Sequence, residues 1–399
     1  MRSVEEHQRV VCGLIAPRQA LTVAVADAAG MVLASDVVAP LSLPVFDNSA
    51  MDGYAVRAED VAAATADTPV SLVVAEDIPA GRTDRLTLTP GTAHRIMTGA
   101  PVPAGADAIV AVESTDGGTD VVAVFAAPRA GQHIRRAADD VAEGTTVLRR
   151  GEVVTPAALG LAAALGLTGL SVVPRQRVLV VSTGSELVAP GTPLRPGQIY
   201  ESNAVMLAAA VGDAGAEAVA VETCSDDVQL FRAVLEGHPG ADVVLTSGGV
   251  SAGAYEVVKD AFVGGGGVEF AKVAMQPGMP QGAGRLADGR AVITLPGNPV
   301  SALVSFEVFV RPALRAAMGL PDSQRPQREA VLAESLTSPR GKRQYRRGVY
   351  DHATGTVTSY GPPASHHLRW LASANCLLEV DENVTEMSAG ERVRIWDLR

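Results

Sequence analysis

Arg177-Val178-Leu179-Val180-Val181-Ser182-Thr183-Gly184-Ser185-Glu186 is an apolar run that stops abruptly in small and polar residues. Such a run predicts a strand buried on both faces, with a turn at its carboxyl end. The residues downstream repeat the theme. A helix is expected near 203–215, a strand at 217–223 and a helix near 227–235. Asp242-Val243-Val244-Leu245-Thr246 then runs into Ser247-Gly248-Gly249-Val250-Ser251. Ala291-Val292-Ile293-Thr294-Leu295 runs into Pro296-Gly297-Asn298-Pro299, followed by a helix to about Met318. Strands alternating with helices predict an α/β domain over 175–320, with a parallel-rich sheet covered on both sides.

Outside that domain the pattern changes. Residues 41–139 are dense in Val, Thr, Gly and Pro and predict a β-rich inserted unit. The helical segments 4–15 and 156–165 are assigned to a connecting unit built from 1–40 and 140–174, which the chain enters twice. Residues 321–399 return to strand-like alternation, ending in Val393-Arg394-Ile395-Trp396, and predict a small C-terminal β domain. The whole is an α/β and β multidomain chain. Within the inserted unit, residues 43–57 (Leu-Pro-Val-Phe-Asp-Asn-Ser-Ala-Met-Asp-Gly-Tyr-Ala-Val-Arg) interleave turn residues with Phe46, Met51 and Tyr54. That mixture reads either as an ordered binding loop or as an Asx turn starting a short helix over 49–52.

Composition excludes several classes. With 47% hydrophobic and 19% charged residues the chain is globular rather than disordered. A formal net charge of -11 argues against a nucleic-acid-binding face, yet leaves room for a small anionic ligand in a locally basic cleft. Cys12, Cys224 and Cys376 are too widely spaced for a zinc site or a disulfide framework, which points to a reducing cytoplasm. No apolar signal segment or membrane span is expected.

Three strand ends carry Gly- or Pro-rich loops: 182–186, 246–253 and 295–301. Backbone N–H groups at the carboxyl edge of a parallel sheet hold anionic oxygens, so a phosphate-bearing ligand is expected. Neither a Walker A sequence nor GxGxxG follows the first strand, which disfavours P-loop and dinucleotide-binding enzymes. Glu186, Asp226, Asp227 and Glu256 lie near the same edge, in a pattern suited to Mg²⁺ shared with ligand phosphates; one of Asp226 and Asp227 is expected only to cap its helix. Lys272 is placed beside the ligand edge. The run Lys342, Arg343, Arg346 and Arg347 reads as a solvated face or as an oxyanion clamp. His366 and His367 read as a surface turn, with catalysis the less favoured alternative.

Taken together, residues 44–57, 95–103 (Arg-Ile-Met-Thr-Gly-Ala-Pro-Val-Pro), 182–187, 198–203 (Gln-Ile-Tyr-Glu-Ser-Asn), 246–253, 295–301 and Ser365-His366 resemble the molybdopterin molybdenumtransferase (MoeA) family and the C-terminal domain of gephyrin. The resemblance runs nearly end to end. It implies a MogA-like three-layer α/β domain within an elongated, four-part subunit. It also implies a homodimer whose site is shared between subunits, with the connecting unit serving dimerisation. The implied reaction inserts molybdenum from molybdate into adenylylated molybdopterin and releases AMP, with Mg²⁺ assisting. Asp52, Asp140, Glu186, Asp226 and Glu256 are the implied catalytic residues, with Asp226 and Glu256 holding or acting on the metal. Implied substrate contacts are Thr98, Thr183, Gly184, Ser185, Ser247, Gly248, Gly249, Ser251 and Lys272, together with Pro296, Gly297, Asn298, Pro299, Arg347 and Ser365. A transient contact with the molybdopterin adenylyltransferase is the protein partner considered.

Three departures from the family pattern stand out. Glu256 replaces a common Asp, Gln276 and Met279 stand where lysines are frequent, and Ala138-Asp139 replaces a commoner Gly-Glu. They motivate two alternatives: a catalytically weakened pterin-nucleotide-binding or scaffold paralogue, and a molybdopterin adenylyltransferase.

Overall fold

A computed structural model describes residues 1–249, 257–262 and 267–399. The Arg177–Thr183 strand lies inside a six-stranded sheet ordered Glu217–Cys224, Arg177–Thr183, Val243–Ser247, Ala291–Leu295, Pro280–Arg285 and Val268–Lys272. The first four strands are parallel; the inner three are the buried apolar runs such a sheet requires, while Glu217–Cys224, at the edge, carries Glu217 and Glu222. The last two pair antiparallel, an edge that the sequence pattern did not separate from loop because Gly282 and Gly284 interrupt it. Phe231, Leu235 and Val258 cover one face of the sheet. Leu207, Val211, Val304 and Phe309 cover the other. The result is three layers.

The N-terminal helix Val4–Leu14 departs from expectation. It is opened by a capping box between Ser3 and Glu6, and it buries Val4 and Val11. Those residues, with Ile15, enter the α/β core and not the connecting unit to which the helix was assigned. The second expected helix, Pro156–Ala164, packs in a separate small core with Leu33, Leu170 and Val172.

The C-terminal strands Arg343–Asp351, Thr356–Ser359, Gln327–Leu332, Arg392–Asp397 and Cys376–Val380 pair in that order, and the first also pairs with the last. The sheet therefore closes on itself as a small barrel without open edges. It is fixed to the α/β domain in two ways. Met275–Gln276 pairs with Arg343 and Gln344, and Tyr345, Leu371, Leu377 and Trp396 enter the α/β core.

In the β-rich unit the Gly53–Val56 strand is fully buried between Thr92–Ile96 and Ala108–Ala111. Gly53 is required there, because a Cβ would sit 2.0 Å from the Val110 carbonyl oxygen. The short helix considered for 49–52 does not form. Asn48–Ser49 instead pairs with Ile134–Arg135, and Asp47 ties the segment down by accepting from Arg136 Nη1 at 2.6 Å and from the Ala137 amide at 2.8 Å. No described helix is long and apolar enough to cross a membrane.

Candidate active site

The three loops at the carboxyl edge of the sheet converge. Gly248 adopts φ +96°, and a Cβ there would meet the Thr183 carbonyl oxygen at 2.6 Å, so only glycine lets the second loop close on the first. The Gly248 amide donates to Leu295 O at 3.1 Å, bringing in the third. Asn203, at the start of its helix, fastens two loops together: its Nδ2 donates to Ser247 Oγ at 2.8 Å and to Gly297 O at 2.6 Å. Glu201, 5% exposed, accepts from Ser182 Oγ at 2.8 Å and from the Ala204 amide at 2.7 Å. Neither Glu201 nor Asn203 was singled out as a site residue. The available signal was a polar pair immediately ahead of an apolar helix.

Between these loops lies a cleft of about 720 Å³, lined by Thr183, Gly184, Glu186, Asp226, Ser247, Gly248, Gly249, Gly297, Asn298 and Pro299 among others. Most of the expected strand-end residues are thus brought together. On the first loop, two amides are already committed. The Gly184 amide donates to Cys224 O and the Ser185 amide to Asp226 Oδ2, both at 3.1 Å. Among the described residues the cleft amides of Glu186, Gly249, Gly297 and Asn298 have no hydrogen-bond acceptor, so each of the three loops keeps a donor for an anion. The buried Thr183 Oγ1 and Asn203 Oδ1 atoms also lack partners.

The two adjacent aspartates separate cleanly. Asp227 caps the Val228–Gly237 helix, accepting from the Gln229 and Leu230 amides at 2.8 and 3.0 Å. Asp226 stays in the cleft, exchanging bonds with Ser185 through one carboxylate oxygen and its own amide. Ser251 and Glu256 lie outside the described residues.

A second cavity of about 440 Å³ opens beside the first, between the α/β domain and the C-terminal barrel. Pro296, Gly297, Asn298 and Ser301 form one wall, Gln276 to Pro280 another, and Pro363 to His366 the third. Asn298 joins the two domains: it leaves its own helix uncapped by its side chain, and Nδ2 donates to Ser365 Oγ at 2.9 Å. The Val300 amide donates to Ser365 O at 3.1 Å.

The arginine run is neither a solvated face nor an oxyanion clamp. Arg347 is 4% exposed; its Nη1 donates to the Ala364 and His367 carbonyls at 3.1 Å each, and Nη2 donates to the Pro362 carbonyl. Burial, then the neighbouring Arg346, pushes its pKa down. Arg343 pairs with Glu5 and Glu382, and Arg346 donates to Thr337 O at 3.1 Å. Arg347 therefore holds the loop that carries Ser365, while its expected direct contact with an anion is not the arrangement present. Lys272 ends its strand on the ligand edge of the sheet, is exposed, and lines neither cavity.

Asp52 and Thr98, on the β-rich unit, and Asp140, just past its end, sit apart from both cavities. Asp52 Oδ1 accepts from the Thr98 amide at 2.6 Å and from Thr98 Oγ1 at 2.7 Å. The hydroxyl bond first, then the amide bond, holds the exposed Asp52 carboxyl below the usual range. The Asp140 amide donates to Leu43 O at 3.0 Å, and its exposed side chain makes no hydrogen bond or ion pair among the described residues.

Comparison with known proteins agrees along the whole chain. Residues 2–166 match the MoeA N-terminal region (domain I and II), 179–316 match a probable molybdopterin binding domain, and 329–398 match the MoeA C-terminal region (domain IV). Molybdopterin molybdenumtransferase 2 of Mycobacterium tuberculosis is 68% identical over 405 residues, covering 100% of both chains. Molybdopterin molybdenumtransferase 1 of the same organism is 40% identical, covering 99% of this chain and 98% of its own. A solved structure of the molybdopterin biosynthesis MoeA protein from Pyrococcus horikosii superimposes with a TM-score of 0.80 at 28% identity, covering 100% of this chain and 99% of that one. On these grounds the chain belongs to the MoeA family, whose members carry the name molybdopterin molybdenumtransferase.

Proposed function

We propose that this chain transfers molybdenum from molybdate to adenylylated molybdopterin and releases AMP, with Mg²⁺ assisting. The observation that carries the reading is the join between a large cleft and a smaller cavity, which share Gly297, Asn298 and His366. The larger has the volume of a nucleotide-sized ligand and offers the Gly249, Gly297 and Asn298 amides to its phosphates. The smaller suits a compact oxyanion, beside the Ser365 hydroxyl and the Asn298 amide group. Two anions seated in adjoining spaces are positioned to react, which is the main kinetic advantage such a site offers.

Asp226 and Glu186 are the described carboxylates in the cleft that would hold Mg²⁺ together with substrate oxygens. The fit is with a shared ion rather than a protein cage: no group of three or more His, Cys, Asp or Glu is so arranged among the described residues. Bound there, Mg²⁺ supplies charge neutralisation at the pyrophosphate. Ser185 fixes Asp226 from one side, Glu201 and Asn203 hold the loop spacing, and Arg347 holds the loop that presents Ser365.

Because no residue of 41–140 lines either cavity, Asp52, Thr98 and Asp140 belong to the site of a second copy in a homodimer. The proposal places the protein in the cytoplasm, in transient contact with the molybdopterin adenylyltransferase that supplies its substrate. The test is direct. Purified protein given adenylylated molybdopterin, molybdate and Mg²⁺ should release AMP, and no release under those conditions refutes the assignment. Gln276 and Met279 in the smaller cavity favour the weakened-paralogue alternative, which predicts binding of the pterin nucleotide without AMP release.

A further inference from the structure

The smaller cavity poses an electrostatic problem. Its described walls are Gln, Pro, Gly, Met, Asn, Ser and Ala, with a single ionisable side chain, His366. A dianionic oxyanion moved from water into a neutral recess loses hydration that hydroxyl and amide donors replace only in part. Arg347, on the strand behind this wall, is committed to backbone carbonyls, Arg369 lies over the Trp370 ring, and Lys272 does not line the cavity. His366 is exposed, and it lines the smaller cavity and the larger cleft alike, so its ring stands where the two ligands would meet.

We infer that His366, as imidazolium, is the specificity-determining cation of the smaller cavity, making oxyanion binding proton-dependent. The inference rests on the functional reading above and adds to it the group that supplies the missing charge. Its geometry is fixed from behind. Arg347 grips the carbonyls on both sides of Ser365-His366, and the Ser365 hydroxyl and carbonyl are held by Asn298 and Val300.

The charged and titratable groups around it are few. Glu186, Glu201 and Asp226 face it across the larger cleft, Glu201 being already occupied by Ser182 and the Ala204 amide. His367 lies edge-on with ring centroids 4.4 Å apart, and Arg346 and Arg347 stand on the strand behind the loop. An anion in the cavity favours the protonated ring, so affinity rises as the ring takes up its proton.

The experiment is calorimetric titration of the full-length protein with molybdate at about pH 6 and about pH 8.5, with sulfate as a competing tetrahedral anion. Wild type should bind molybdate roughly tenfold tighter at the lower pH. His366→Gln should bind at the weak, high-pH level throughout, and His366→Lys should bind tightly at both pH values. A His366→Gln protein that keeps the wild-type pH profile overturns the inference. So does wild type that binds no molybdate at either pH, or a profile abolished by His367→Gln instead. AMP release tests the functional reading separately: its absence refutes that reading whether or not His366 governs molybdate binding.

Discussion

Replacing Arg347 by methionine removes the guanidinium while keeping most of its buried stem. Nη1 donates at 3.1 Å to each of the Ala364 and His367 carbonyls, and Nη2 donates to that of Pro362. A hydrogen bond from a charged donor contributes about 1.5–3 kcal/mol. Because Pro362 is exposed, its carbonyl recovers water, so the two Nη1 bonds set the scale. At the low end they sum to about 3 kcal/mol of local ordering, or roughly a hundredfold rise in the open population of the 360–367 loop. The reporter is the Val300 amide, protected by its 3.1 Å bond to Ser365 O. Hydrogen exchange at Val300 should accelerate accordingly, and molybdate affinity should fall with it. Arg347→Lys should not rescue either effect, since a single ammonium cannot span carbonyls on a rigid fork. Unchanged Val300 exchange with molybdate binding lost would refute the positioning argument and make Arg347 a direct anion ligand.

Four further outcomes are expected. Asp52 titrates low because Thr98 bonds its charged form, so this pair's contribution is present above the ordinary aspartate range and is lost as pH falls through the depressed value. Thr98→Val should move the Asp52 titration upward by NMR, whereas Asp52→Ala should depress AMP release while sparing folding and dimerisation; an unmoved titration or an unchanged rate contradicts the respective claim. Mixing Asp52→Ala and Asp226→Ala subunits should restore about a quarter of wild-type AMP release, because half the dimers are mixed and each carries one intact site. No recovery on mixing would place both residues in one chain's site. Ala138 adopts φ 63°, a left-handed conformation that suits glycine. Ala138→Gly should therefore stabilise the protein by about 0.5–1 kcal/mol in denaturant titration, net of glycine's larger unfolded-state entropy, and a loss of stability contradicts that account.

The parallel strands, their glycine-rich ends and the motifs that place the chain in its family are legible in the residues alone. These signals are local: an apolar run, a strand end and a turn are each written within about ten neighbouring residues. The sequence also marked one of Asp226 and Asp227 as a cap. Which aspartate caps was beyond it, because a cap is a matter of backbone angles at one residue, and Asp227 has them.

The tertiary structure decided the rest, for one physical reason: the contacts that set each side chain's role span long sequence separations. Asn298 meets Ser365 across 67 positions, and Asn203 meets Gly297 across 94. The N-terminal helix was assigned to the wrong core because an amphipathic face does not name its partner. The arginine run looked available because charge alone does not say which way a strand turns it. Closing the barrel turned Arg347 inward onto the loop of Ser365, and left His366 at the mouth of a cavity with no other ionisable side chain among its described walls.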